Sequence, residues 1–252
     1  MRMAARRWKT SLGMQKYRVN GEENMEDIIL IGGGQHCGVV LYNIEQQGKY
    51  RAIGVLDSAI EKKGTYAHGI EVLGDYSQQN LKRIQDEYRI NRFFIAFGAM
   101  KYRKDVFLYM QRQGWQAVNI IHPDAVVSSH SKLGNGILIE CGCLVTPNPI
   151  IGDNVVVNTG SQVNHDNIVE SHTYIASGVI LSGGVSIGEN TLIDDGVIIT
   201  LGKHIGSNCI IGAGAVVTKN IPDGYIAYGN PCRVIRCLLY TSPSPRDSTS
   251  SR

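Results

Sequence analysis

The chain has 252 residues, 43% of them hydrophobic and 19% charged, ordinary values for a protein with a buried core and room for two domains. Its formal charge of +3 sits at the ends: residues 1–24 carry six Lys or Arg against two Glu, and residues 237–252 two Arg against one Asp, which leaves residues 25–236 at −2. Nothing basic therefore marks the folded part for nucleic acid, and no apolar run reaches the roughly 18 residues of a membrane-spanning helix.

The leader MRMAARRWKTSLGMQKYRVN is Arg-rich and free of acids. That composition suits either an organelle transit peptide or an upstream extension, and because Met25 opens a tidy domain as MEDIILIGGG, residues 1–26 are read as a disordered or non-native extension. Six cysteines follow (Cys37, Cys141, Cys143, Cys209, Cys232 and Cys237) with no CxxC pair and no zinc-like spacing to histidine. They are expected to be reduced and mostly buried, as in a cytoplasmic protein.

Residues 27–121 read as a Rossmann-like βαβ domain. An apolar run from Ile28 to Ile31 stops at Gly32-Gly33-Gly34 and passes into a helix through Gln35 and His36. Glycines there let backbone N–H groups approach a phosphate at a helix N-terminus, or simply pack strand on helix. A strand from Ala52 to Leu56 ends at Asp57, an acidic position that commonly meets a ribose or base. A third run, Arg92 to Phe97, stops at Gly98, and a helix is expected over Tyr102 to Gln113. About 95 residues are too few for a full dinucleotide fold, so a mononucleotide or nucleotide sugar fits better than NAD.

From Val127 to Val217 every sixth residue is Val, Leu or Ile, sixteen in succession. A period of six matches neither helix nor plain strand; it matches a triangular parallel β-helix with three hexapeptides to the coil. Small or polar residues after each aliphatic, such as Gly134, Gly152, Gly188, Gly206 and Gly212, are expected to make the tight corners. The β-helix domain is placed at 122–236. Residues 237–252, LLYTSPSPRDSTSSR from Leu238, break the period and read as a disordered tail of artificial origin.

An all-aliphatic interior leaves chemistry to the outer faces, or to clefts between copies in a cyclic homotrimer. Among outward positions Asn158-Thr159 and Asn164-His165-Asp166-Asn167 stand out. His165 is the candidate base, Asp166 can fix its tautomer, and Gly183, one coil onward, leaves a backbone N–H for a thioester carbonyl. The bland alternative is a solvated surface histidine. Zinc held by His165, His172 and His204 would require three sites whose spacing converges poorly on one tetrahedron, and no metal is expected.

The chain resembles the left-handed β-helix sugar acetyltransferases of the NeuD and PglD type. The likeness spans about Ile28 to Arg236 and is carried by IILIGGGQHCGVV, GVLD, IAFGAMKYRK, IHPDAVVS, IIGDNVVVNTGSQVNHD, ILSGGVSIGENTLI, IIGAGAVVTKNIPDG and GNPCRVI. It implies transfer of acetyl from acetyl-CoA to the amine or hydroxyl of a sugar, a nucleotide-linked amino sugar or a sialic acid. His165 would be general base supported by Asp166, with the Gly183 N–H on the acetyl carbonyl. Gly33, Gly34, Gln35 and His36 would hold the nucleotide phosphates and Asp57 the base, with Asn158 and Asn164 near the acceptor. Gly202, Gly214, Lys219, Pro231 and Arg233 would line coenzyme A, with Tyr174 near the acetyl group. Asn164, Glu170 and Tyr174 depart from the usual acid, glycine and second histidine. The alternatives to catalysis are a trimeric binding scaffold that has lost turnover and a metal-dependent hydratase.

Overall fold

The computed structural model describes residues 25–59 and 62–238; the leader through Asn24 and the tail from Leu239 lie outside the described residues. The first unit is an α/β layer. Its elements are β1 (Glu26–Ile31), α1 (Gln35–Gln47), β2 (Tyr50–Leu56), β3 (Tyr66–Ala67), β4 (Ile70–Gly74), α2 (Gln78–Tyr88), β5 (Arg92–Ile95), α3 (Met100–Arg112) and β6 (Gln116–Ala117). The sheet order is β3-β4-β2-β1-β5-β6, parallel except for the β3–β4 pair. Ile28 to Ile31 are fully buried because the central strand is covered on both faces. The expected strands and helices are found with shifted ends; β3, β4 and α2, a mostly polar helix that buries Leu81 and Ile84, lie outside those expectations.

From Ile120 the chain coils into a triangular prism. Seventeen two-residue strands, β7 (Ile120–Ile121) to β23 (Val216–Val217), distribute in turn onto three parallel sheets, and β24 (Tyr225–Tyr228) with β25 (Arg233–Cys237) closes the first. The first sheet begins one strand earlier than the period suggests: Ile120–Ile121 pairs with Leu138–Ile139. Each partner lies three hexapeptides on, as in Leu138↔Val156 and Leu144↔Gln162. The aliphatic of each hexapeptide points inward, and from Val145 to Val217 these positions are 1% exposed or less.

The corners obey a rule different from the expected one. Left-handed backbone recurs at every sixth residue from Gly136 to Gly214, three places after the aliphatic. These fourteen positions hold eight glycines, four asparagines (Asn148, Asn154, Asn190, Asn208), Asp166 and His172, residues that tolerate positive φ best. The small residue directly after the aliphatic answers to a separate constraint, the distance between coils. A Cβ at Gly152 would lie 2.6 Å from the Ser171 backbone nitrogen. Gly152→Ala must therefore push two coils apart, and it is expected to cost about 1–3 kcal/mol in urea unfolding with an unchanged m-value.

The two units share a core. Cys37, Val40 and Ile44 of α1 pack with Ile120, Leu138 and Val156 on the outer face of the first sheet. Asn119 pins the junction, its amide donating to the Gly134 carbonyl at 2.8 Å and its side-chain oxygen accepting from Ile137 N–H at 2.9 Å. Lys104 of α3 reaches Glu189 of the prism at 2.8 Å. The α/β unit thus covers the first sheet and leaves the other two open.

Candidate functional site

His165 stands on the edge between the second and third sheets, in the corner joining β14 (Gln162–Val163) to β15 (Ile168–Val169). Its neighbour Asp166 occupies the left-handed corner position with φ of 59°. That backbone brings Asp166 Oδ2 to 2.8 Å from His165 Nδ1, while Asn148 Nδ2 donates to Oδ1 at 3.2 Å. The histidine bond first, and the asparagine bond second, hold the Asp166 carboxyl below its usual range. An ionised carboxylate can only accept, so Nδ1–H donates and the lone pair is on Nε2. Both side chains are about 60% open, at 60% and 59%.

Gly183, one coil on, sits against that ring: a Cβ there would strike His165 Cε1 and Nε2. Among the described residues no backbone acceptor takes the Gly183 N–H, while its carbonyl accepts from Gly202 at 3.0 Å and Gly184 N–H bonds the His165 carbonyl at 2.9 Å. Gly183, Gly184, Gly202 and Lys219 follow one another up the same edge, with the exposed side chain of Leu201 standing between Gly183 and the exposed cation. Asn164 belongs here too, its amide spent on the Leu181 carbonyl at 2.7 Å. Gly214 lies instead on the edge between the first and second sheets, and Pro231 and Arg233 lie exposed at the closing hairpin.

A second group gathers where the α/β unit meets the prism. Tyr174 is on β16 (Tyr174–Ile175) of the first sheet, not on the edge of His165. Its hydroxyl accepts from Asn158 Nδ2 at 3.0 Å, and its ring centroid is 6.3 Å from that of His36. Burial raises the Tyr174 phenol. In one chain Tyr174, expected near the acetyl group, is therefore a neighbour of the glycine-loop helix and stands on a different sheet from the His165 edge.

The glycine loop is held from within. Gly33 N–H donates to Asp57 Oδ2 at 3.1 Å, Ala59 N–H to Oδ1 at 3.0 Å, and Lys62 Nζ to Oδ2 at 2.9 Å. Burial would raise the Asp57 carboxyl, but these three bonds outweigh it and keep it low. Gly34 and Gln35 are exposed at the start of α1, whose first turn has no side-chain cap, an arrangement suited to an anion.

Burial first, then the charge of Arg103, pushes His36 down to about 4. Its folded value lies below the unfolded one, so the stability held in the neutral ring is complete above about pH 6.5 and lost as pH falls toward 4. Going from pH 7 to pH 5, His36 alone is expected to cost about 2 kcal/mol. Urea unfolding at the two pH values checks this, and His36→Gln should remove that part of the slope. Sequence reading missed Arg103, fully buried, whose Nη1 donates to the Ile95 and Phe97 carbonyls at 3.1 and 2.8 Å. It also missed Glu140, whose burial depends on packing between units. One usable signal was in the sequence: Asp166 and His172 alone break the run of Gly and Asn at the corners. His172 is buried, edge-on to Phe107 of α3 at 5.5 Å, while His204 is on a strand of the third sheet. Among the described residues no three His, Cys, Asp or Glu side chains converge as a metal site, and all six cysteines are unpaired.

The family profile of the PglD N-terminal domain matches residues 27–110. Among solved structures the chain is similar to PerB from Caulobacter crescentus, in complex with CoA and GDP-perosamine, with 31% identity, 83% of this chain and 97% of that chain covered, and a TM-score of 0.78. It is similar to the acetyltransferase domain of PglB from Neisseria gonorrhoeae, in complex with acetyl coenzyme A, at 28% identity, with 84% and 100% covered and a TM-score of 0.75. WeeI from Acinetobacter baumannii, 23% identical over 84% of this chain and 100% of its own with a TM-score of 0.68, shares the fold. No curated protein matches.

Proposed function

The chain belongs to the left-handed β-helix sugar acetyltransferases, and on that premise we propose that it moves an acetyl group from acetyl-CoA to the amine or hydroxyl of a nucleotide-linked sugar. The observation that carries the reading is the His165–Asp166 pair at 2.8 Å with Gly183 against the ring. Asp166 keeps the proton on Nδ1, so Nε2 is free to take one from the acceptor as its nitrogen or oxygen attacks the thioester. The Gly183 N–H would meet the oxyanion that develops on the acetyl carbonyl. Coenzyme A then leaves as thiolate. No Ser or Cys bonds to His165 among the described residues, which favours direct attack over an acyl-enzyme.

The edge from Gly183 past Leu201 and Gly202 to Lys219 suits the pantetheine arm, with Lys219 toward its phosphates, whereas Gly214, Pro231 and Arg233 lie on or beside the first sheet and not on this edge. The exposed N-terminus of α1 at Gly34 and Gln35 suits the nucleotide phosphates, with Asp57 as organiser of the loop. A neutral His36 beside Tyr174 and Asn158 suits the uncharged sugar more than a phosphate.

Base and sugar pocket stand on different edges of one chain, so a complete site would take two copies. The second sheet supports a homotrimer: Val126, Leu144, Ile180, Ile198 and Val216 form an outward aliphatic ladder broken by Gln162, more apolar surface than a free face needs. No described helix is long and apolar enough to cross a membrane. Unpaired thiols and a substrate pair of acetyl-CoA and sugar nucleotide point to the cytoplasm.

The test is thiol release from acetyl-CoA across UDP-, GDP- and CMP-linked amino sugars and the free sugars, with the product's acetyl position read by mass spectrometry. Transfer to one of them is expected. No coenzyme A release above background with any acceptor sinks the reading.

A further inference from the structure

Between α1 and the edge joining the first and second sheets lies a cavity of about 400 Å³. Gln35, Val39 and Tyr42 wall it on one side, and Glu140, Cys141 and Thr159 on the other. It is large enough for a sugar ring. Glu140 is 6% exposed. Its Oε2 accepts from the Thr159 hydroxyl at 2.6 Å and from the Thr159 N–H at 3.3 Å. Its Oε1 is buried with no hydrogen-bond partner, and no described Lys, Arg or His pairs with the carboxylate.

A half-satisfied buried carboxylate is a standing cost to the fold. The corner itself does not demand one. The equivalent positions in later coils of the same edge are Asn158, Ala176, Asp194 and Gly212, so amide, methyl and bare backbone all serve there. Two further buried acceptors lack partners: Asn43 Oδ1 on the α1 wall of the cavity, and Asn158 Oδ1, one coil on from Glu140. Asn158 Oδ1 and Glu140 Oε1 are acceptors. A group that completes them must bring O–H or N–H donors, and a phosphate, which brings acceptors and negative charge, is excluded from this wall.

We propose that Glu140 is a specificity-determining residue of the acceptor pocket, its Oε1 accepting a hydrogen bond from a hydroxyl or amino group of the sugar. This rests on the sugar acetyltransferase reading and deepens it: the sugar end, not the nucleotide end, fills the cavity beside Tyr42 and Thr159. The preferred acceptor is then one with a free donor at the ring position facing Glu140, and its deoxy analogue at that position is discriminated against.

Glu140→Gln keeps the shape and an acceptor for Thr159 but can turn an N–H toward the ligand's own donor. Glu140→Met removes both charge and acceptor, and thermal unfolding of each full-length variant without ligand verifies that it is folded. Calorimetric titration with GDP-perosamine beside GDP, and with UDP- and CMP-linked amino sugars beside UDP and CMP, provides the readout. In both variants the preferred sugar nucleotide should bind at least about ten-fold more weakly, with bare nucleotide within about two-fold of wild type. Wild-type affinity for the sugar nucleotide in a folded variant overturns the proposal. So does an equal loss for sugar nucleotide and bare nucleotide, or a wild type that prefers no sugar nucleotide over its nucleotide. Failure of acetyl transfer would sink the function reading while leaving these titrations interpretable, and intact binding in the variants would sink Glu140's role while leaving transfer standing.

Discussion

Replacing His165 by alanine is expected to lower kcat by about 10²–10⁴-fold with acetyl-CoA affinity within about two-fold of wild type. The size follows from the role. A sugar ammonium or hydroxyl attacks a thioester poorly until a proton leaves it, and His165 Nε2 is the basic atom that the Asp166 bond and the Gly183 approach aim at one place. The loss should fall on kcat, because the imidazole is argued to act on the proton in flight and not on coenzyme A, whose arm would follow the glycine edge. Stability should hardly move: the side chain is 60% exposed and its one side-chain bond is to its neighbour, and such surface positions usually shift stability by about 0.5 kcal/mol or less. Single-turnover transfer with the preferred acceptor, run beside a coenzyme A titration and a melting curve, checks all three. Retention of wild-type kcat would reduce His165 to the solvated surface histidine that sequence alone also allowed.

The sequence carried the prism nearly whole because one physical demand, an aliphatic residue at the axis of every hexapeptide, is written at fixed intervals. It carried the corners only in part. Smallness after each aliphatic is legible, but its cause is the spacing between coils and not the turn: Gly152 is small because Ser171 lies over it, while the turn itself is made at Asn154. The α/β unit was legible where apolar runs end in glycine, as at Ile31 and Phe97. The two-residue β3 and the polar helix α2, which buries Leu81 and Ile84, lack that contrast. The His165–Gly183 stack could be read because three hexapeptides make one coil. Tyr174 could not be placed beside His36, nor Glu140 beside α1, since these contacts arise from docking one unit on another and leave no period in the chain.

Gly183→Ala provides the sharper test, because it alters the geometry of the base without touching the base. The φ at Gly183 is not in the left-handed range, so alanine suits the backbone, and the added methyl meets only the His165 ring among its nearest contacts. That ring is exposed and swings aside at little cost, unlike the Ser171 backbone over Gly152. Melting temperature is therefore expected within about 2 °C of wild type. Activity is expected to fall by about 10²-fold, since the methyl occupies the place of Nε2 and the Nδ1–Asp166 bond is lost as the imidazole moves. The Gly183 N–H survives the substitution, so whatever it contributes to the oxyanion should survive as well. A double-mutant cycle separates the two effects: in the His165→Ala background, with no ring to displace, Gly183→Ala should cost less than about three-fold. A full loss of about 10²-fold in that background would mean that position 183 acts on substrate directly and not through the histidine. Wild-type activity in Gly183→Ala alone would mean that catalysis does not need the imidazole where the fold holds it.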